Sequence, residues 1–267
     1  MYLSHWNLKQ APFANVPAGN MFYRSPQHEE ALRRLLYVIE SGRGVAMLTG
    51  EVGCGKTTVI KALASHLNKN AVQLHMISNP ALPPKQLLQT ILLKLGGTIA
   101  NRGPKALLLD QLHQILAGSA AAGRSTVLAI DEAHVIGSRA TLDELRMLLN
   151  FQTEDEFLVT LILLGQPPLL RNISNLQPLK ERIAIKFNLE PLDLPNTVRY
   201  VLFRLKSAGA ARDIFTQQAV QLLHESSGGI PLRINNLCDR CLLLGLLQNV
   251  KVLDGDIVRD AIEDMEK

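Results

Sequence analysis

Aromatic side chains are scarce in this chain: Phe, Trp and Tyr make up 4% of its 267 residues, with one tryptophan. A platform that stacks the bases of a single strand on exposed rings is therefore not expected. Cysteine is equally sparse. Three thiols, one of them inside a glycine-rich loop, do not make a disulfide framework, and a reducing compartment follows. Cys238 and Cys241 have C-x-x-C spacing, but a zinc site needs a second ligand pair and none stands at suitable spacing. Within an apolar helical run they are expected to pack as small hydrophobes. Long hydrophobic runs are missing too. The longest, Leu158–Leu164 and Cys241–Leu247, fall far short of the ~20 residues that cross a bilayer. The segment from Met1 to Trp6 has neither a basic leader nor an apolar signal core. The expectation is a cytoplasmic protein with no integral membrane segment, with docking on a membrane partner left open. There is no dense basic block either. A balance of 28 Lys and Arg against 24 Asp and Glu, +4 in all, permits contact with nucleic acid without arguing for it.

What is present is a substantial apolar fraction, 47%, enough to build one large domain and a smaller one. Residues 1–25 read as irregular and contain Pro12 and Pro17, and a helix with one broad apolar face follows over 28–40. Strands are predicted at 45–48, 72–77, 127–130, 158–164 and 183–188. Helices are predicted between them at 58–67, 85–95, 105–116 and 141–151. Oily strands alternating with helices describe an α/β domain with a parallel sheet covered on both faces. After Pro195 the strand signals stop, and helices are predicted near 197–207, 216–225, 233–247 and 255–266, with Thr216 and Asp254 placed as N-caps. The division expected is an N-terminal segment and helix over 1–42, a nucleotide-binding α/β domain over 43–194, and an all-helical lid over 195–267.

The nucleotide assignment comes from Gly50, Glu51, Val52, Gly53, Cys54, Gly55, Lys56 and Thr57, a full match to G-x-x-x-x-G-K-[ST] with Thr58 next. An apolar strand feeds this loop and a helix leaves it. Successive amides at a helix N-terminus favour an anion, so the loop is suited to cradle the β-phosphate. Lys56 would reach the β- and γ-phosphates, and the Thr57 hydroxyl would take Mg²⁺.

A second signal is Val127-Leu128-Ala129-Ile130-Asp131-Glu132-Ala133-His134. Four apolar residues deliver two adjacent carboxylates to the C-terminal end of a strand, where ligands of open α/β sheets bind. Asp131 is placed to hold the magnesium with Thr57, and Glu132 to polarise the water that attacks the γ-phosphorus. The adjacent glutamate favours hydrolysis over mere binding. His134 completes Asp-Glu-Ala-His, but a helicase of that kind needs two nucleotide domains in tandem, so a local coupling or structural role is expected for it. No Asn-Lys-x-Asp follows the loop, which favours ATP over GTP. Gln166, in Gly165-Gln166-Pro167 after the next strand, would contact the γ-phosphate or the attacking water. Asn79 would hydrogen-bond Glu132 and restrain it. Positive charge is still missing opposite the γ-phosphate. Arg182, just before the last strand, would supply it to a neighbouring subunit's site, with Arg171 as a competitor.

With these residues in view, the chain resembles the AAA+ ATPases, and within them the ATPase domain of the ExeA family, also called general secretion pathway protein A. The marks run from Pro12-Phe13 and Tyr23-Arg24-Ser25 with His28, through the phosphate loop, Asn79-Pro80 and Ile130–Ala133. They continue through Gly165-Gln166-Pro167, Arg182-Ile183 and Gly228–Pro231 to Leu237–Arg240. The resemblance implies a P-loop nucleotide domain with a C-terminal helical lid and ATP with Mg²⁺ as cofactors. It places the active-site roles on Lys56, Thr57, Asp131 and Glu132, the sensor on Gln166 and the intersubunit finger on Arg182. The family usually reads Gly-x-Pro-Arg where this chain has Gly229-Ile230-Pro231-Leu232-Arg233. Either the γ-phosphate contact is absent at Leu232 or Arg233 replaces it. Glutamine is common where His134 stands. Self-association into a ring or helical filament is implied. The expected load is double-stranded DNA with a transposase; secretion, exopolysaccharide or envelope-assembly proteins are the alternative, and a nucleotide-gated scaffold with very weak hydrolysis is a third reading. The short length, ending at the lid, argues for a stand-alone ATPase over a complete secretion component.

Overall fold

The computed structural model describes residues 2–15, 21–99, 103–153 and 156–266; the expectation attached to Pro17 lies outside them. The chain divides into two compact units. One is Glu30–Gly50 with Lys56–Leu189, and the other is Met1–Glu29 with Glu51–Gly55 and Glu190–Lys267. The division falls inside the first helix and inside the glycine-rich loop.

The first unit holds a sheet of five described strands: β1 Val45–Gly50, β2 Val72–Ile77, β3 Ser125–Ile130, β4 Val159–Gly165 and β5 Ile183–Leu189. All pairings are parallel, in the order β2-β3-β4-β1-β5. Every residue of β1 and β4 is buried, as is all of β3 after Ser125. Central parallel strands are covered on both faces, which explains their unbroken apolar composition. The edge strand β5 instead alternates exposed and partly buried positions, the period-2 signature of a strand covered on one face.

Helices α1 Pro26–Glu40, α2 Lys56–His66, α3 Pro84–Lys94, α4 Lys105–Ala121 and α5 Arg139–Leu148 occupy the predicted places. In α4 the buried residues Leu108, Leu112 and Leu116 recur at i+4, and α3 contributes Leu87, Leu88, Ile91 and Leu92 to the same core. Each fully buried leucine is worth about 1.5–3 kcal/mol. Two short helices, α6 Pro168–Ser174 and α7 Gln177–Lys180, were not predicted. At seven and four residues they are too short to show a helical period, and the proline in the first turn of each is the only local signal.

The second unit contains α8 Leu194–Ser207, α9 Gln217–Ser227, α10 Pro231–Leu247 and α11 Gly255–Glu266. The two expected caps are present. Thr216 accepts the Ala219 N–H at 3.1 Å, and Asp254 accepts that of Ile257 at 3.3 Å. The N-terminal segment is fastened to this unit. Trp6 donates its indole N–H to Leu242 O at 2.9 Å, and the buried guanidinium of Arg204 donates to Pro12 O at 2.6 Å and Ala14 O at 2.8 Å. Cys238 and Cys241 lie in the apolar core of this unit. Burial pushes both thiols up, Cys241 to about 12, so they stay protonated and pack as hydrophobes. No helix among the described residues is long and apolar enough to cross a membrane.

Candidate nucleotide-phosphate site

The sheet order fixes which side chains gather. β4 lies between β3 and β1, with Ile130 opposite Leu163 and Thr49 opposite Gly165. Asp131, Gln166 and the loop after Gly50 therefore leave three adjacent strands at the same C-terminal edge. The strand order also reverses at β1, and ligands of open α/β sheets bind at such a point.

The loop takes its shape from glycine. Gly53 has φ +85° and Gly55 φ +100°, a region that side-chain-bearing residues rarely adopt. A Cβ on Gly53 would also come 2.5 Å from Leu232 Cβ, and one on Gly55 would come 2.8 Å from His28 Nε2. Lys56 opens α2 with no acidic residue in the first turn, so the helix N-terminus offers its amides and dipole to an anion. Lys56 is 5% exposed and donates from Nζ to Gly50 O at 2.8 Å.

Thr57 Oγ1 donates to Asp131 Oδ2 at 2.8 Å. Asp131 is 7% exposed; its other oxygen accepts the Glu132 N–H at 2.9 Å, and its own N–H bonds to Ile77 O at 2.9 Å. The strand ladder thus continues into the carboxylate and holds it against the threonine. Glu132 has φ +53°, uncommon for a residue with a side chain. Glu132 Oε2 lies 3.5 Å from Nδ1 of His134, and the same nitrogen accepts the Gln166 N–H at 3.3 Å. Asn172 donates to His134 O at 3.1 Å, tying this turn to α6. The bond expected from Asn79 to Glu132 is not formed among the described residues: Asn79 is exposed, and His134 is the side chain beside the carboxylate.

The remaining residues separate by position. Arg182 stands at the N-terminal end of β5, where Ile183 pairs with Val45. β1 has six residues, a rise of about 20 Å, so Arg182 lies at the sheet edge opposite its own phosphate loop. It donates to Asn150 Oδ1 at 2.9 Å and Arg146 O at 3.4 Å. Arg171 is exposed on α6. In the first turn of α10, Leu232 donates its backbone N–H to Gly53 O at 3.3 Å, and Arg233, one residue on, is exposed.

Sequence reasoning gave no role to His28, which is 6% exposed. Its Nε2 lies 3.0 Å from Cys54 O and its Nδ1 lies 2.6 Å from Ser25 Oγ. The only local trace is the Ser-x-x-His spacing at the start of α1. Its partner in the loop is distant in the chain and leaves no pattern.

An amide-lined loop, one ammonium, and a hydroxyl paired with a carboxylate oxygen fit a nucleotide with magnesium, which takes few protein ligands and completes its shell with phosphate oxygens and water. The comparisons agree. Residues 39–173 match the AAA domain family, about half of the chain. The chain belongs to the AAA+ ATPases. Membership implies binding of ATP with magnesium in general. The chain is 37% identical to general secretion pathway protein A of Aeromonas hydrophila over 98% of its own length and 48% of that protein's, so it spans about half of this relative. In fold it is similar to the ORC2 protein of Aeropyrum pernix, solved in ADPNP–ADP complexes, with a TM-score of 0.72 at 17% identity over 96% of this chain and 71% of that one. Cdc6p of Pyrobaculum aerophilum gives a TM-score of 0.74 at 17% identity over 95% of this chain and 70% of that one. This AAA+ ATPase combines the parallel sheet with a C-terminal helical unit, as its sequence implies.

Proposed function

We propose that the protein hydrolyses ATP to ADP and phosphate in a self-assembled state and uses the cycle to act on a protein partner in secretion or envelope assembly. The observation that carries the hydrolytic part is the Thr57–Asp131 hydrogen bond of 2.8 Å with Glu132 as the next residue. In this reading the loop amides from Gly50 to Thr58, including those of Glu51, Val52 and Cys54, hold the phosphates. Lys56 leaves the Gly50 carbonyl to neutralise the β- and γ-oxygens, and Thr57 and Asp131 hold magnesium. When bound, the metal supplies charge neutralisation for the leaving diphosphate. Glu132 accepts a proton from the attacking water as that water bonds to the γ-phosphorus, and Gln166 orients the water or the γ-phosphate. Arg233 supplies charge from the first turn of α10, where Leu232 replaces the arginine usual in the family. Arg182 serves a neighbouring subunit, because the sheet separates it from its own loop.

The secretion-linked load is supported by the 37% identity to general secretion pathway protein A along nearly all of this chain. A DNA load, with a transposase as partner, has less support, since the similarity to the ORC2 protein is at 17% identity and bears on the fold. Turnover of wild type and Glu132→Gln tests the hydrolytic reading: the variant should retain ATP and lose at least about 100-fold in kcat. Equal rates would remove Glu132 from the mechanism. Retention on DNA with and without ATP across a salt series tests the load; ATP-dependent, salt-sensitive binding would move the assignment to DNA.

A further inference from the structure

We infer that His28, with Ser25, is a positioning residue for the phosphate loop: its imidazole holds the Cys54 carbonyl and thereby turns the Gly55 amide toward the nucleotide phosphates. The inference rests on the nucleotide reading of that loop and adds a residue to it from outside the motif.

Both ring nitrogens are engaged, and their partners decide the tautomer. A carbonyl oxygen only accepts, so the 3.0 Å contact to Cys54 O requires a proton on Nε2. Nδ1 is then a bare acceptor and takes the Ser25 hydroxyl proton at 2.6 Å. Ser25 is fixed in turn. It precedes Pro26, the first residue of α1, and its Oγ accepts the His28 N–H at 3.4 Å while its carbonyl accepts the Glu29 N–H at 3.0 Å. This is an N-cap whose side chain serves both the helix and the imidazole. The edge-on ring of Phe22, 5.8 Å away, closes another side of His28. Burial lowers the basicity of His28, which keeps it in the neutral form this arrangement needs.

The consequence for the loop follows from peptide planarity. In a trans peptide the C=O of Cys54 and the N–H of Gly55 point in opposite directions. Anchoring the carbonyl on His28 sends the Gly55 N–H to the other side of the plane, where the loop's concave face receives an anion. Gly55 also has to be glycine for the imidazole to stand there, because a Cβ would come within 2.8 Å of Nε2. Free of this anchor, the Cys54–Gly55 peptide turns about Cys54 ψ and Gly55 φ, and the glycine side of that turn meets little steric cost.

The test compares wild type, His28→Ala, His28→Gln and Lys56→Ala in calorimetric titrations with ATP and with ADP, and in ATPase assays. His28→Ala is expected to weaken both nucleotides by the same factor, about tenfold, with kcat at saturation within about threefold of wild type. His28→Gln, whose amide N–H can replace Nε2–H, is expected to recover most of that affinity. A purely structural histidine would lower Tm and leave affinity alone. Unchanged affinity in folded His28→Ala, or failure of folded His28→Gln to recover it, would overturn the inference. Nitrogen-15 NMR of the wild-type ring gives a measurement that needs no variant: an Nε2–H tautomer is expected, and an Nδ1–H tautomer refutes the arrangement. If wild type shows no saturable binding that Lys56→Ala abolishes, the nucleotide reading itself falls and this inference falls with it.

Discussion

Glu132 keeps its carboxylate 3.5 Å from Nδ1 of His134, the atom on which the Gln166 N–H also converges at 3.3 Å. One nitrogen cannot accept the amide proton and donate to the carboxylate at once. His134 therefore links the proposed general base to the end of β4, and a change at either is felt at the other. Removing the ring should cost catalysis rather than binding. His134→Ala is expected to lower kcat about three- to tenfold with KM nearly unchanged. In a Glu132→Gln background the same substitution should have little further effect, because the two side chains act as one unit. Additive losses in the double variant would separate them.

Arg182 gives a sharper test because its position excludes action on its own loop. Arg182→Ala is expected to cost at least about 1,000-fold in kcat, the lower end of what such arginines contribute. Mixing Arg182→Ala with Glu132→Gln subunits should then restore activity that neither has alone, since mixed pairs contain complete sites. No restoration at any ratio would assign Arg182 to its bonds with Asn150 and Arg146.

Gly53 and Leu232 form a size pair. Gly53→Ala should abolish measurable ATP binding, both because φ +85° disfavours a side chain and because the new Cβ would sit 2.5 Å from Leu232 Cβ. Gly53→Ala with Leu232→Gly removes the Leu232 Cβ and leaves the backbone strain, so partial recovery is expected, to within about tenfold of wild type. Full recovery would show that the strain is negligible; none would show that the clash is not what matters.

Stability should fall as the medium is acidified from neutrality. Burial lowers the basicity of both His28 and His75, and Nε2 of His75 is buried without a partner. The unfolded chain then binds protons near the ordinary value of 6.5 while the folded chain does not. Their contribution is complete above that value and declines as pH falls toward the folded values. Tm followed from pH 7.5 to 5 should decrease, with a shallower slope in His28→Gln. An identical slope would mean that His28 titrates alike in both states.

The core strands and the loop were legible in the sequence because each carries its own local signal: the unbroken apolar runs of β1 and β4, and the glycine spacing before Lys56. Asp131 and Glu132 were legible because a strand end places consecutive residues predictably. The short helices α6 and α7 lacked the length to show a period. The neighbour of Glu132 was misjudged for a different reason. Whether Asn79 or His134 meets the carboxylate depends on the left-handed turn at Glu132, and only coordinates reveal that the turn exists. His28 was illegible as a partner of Cys54 because long-range side-chain bonds leave no spacing to read.

The two rims of the sheet have one more consequence. With the phosphate loop on one and Arg182 on the other, the proposed intersubunit role gives a single molecule a socket and a plug that cannot meet. Contacts built from them are heterologous and run head to tail. In an open array the terminal molecules contribute one idle socket and one idle plug, whereas a closed circle has neither. Turnover per chain should therefore climb with protein concentration and level off at ring closure or at great length, so that specific activity reports how many neighbours have joined.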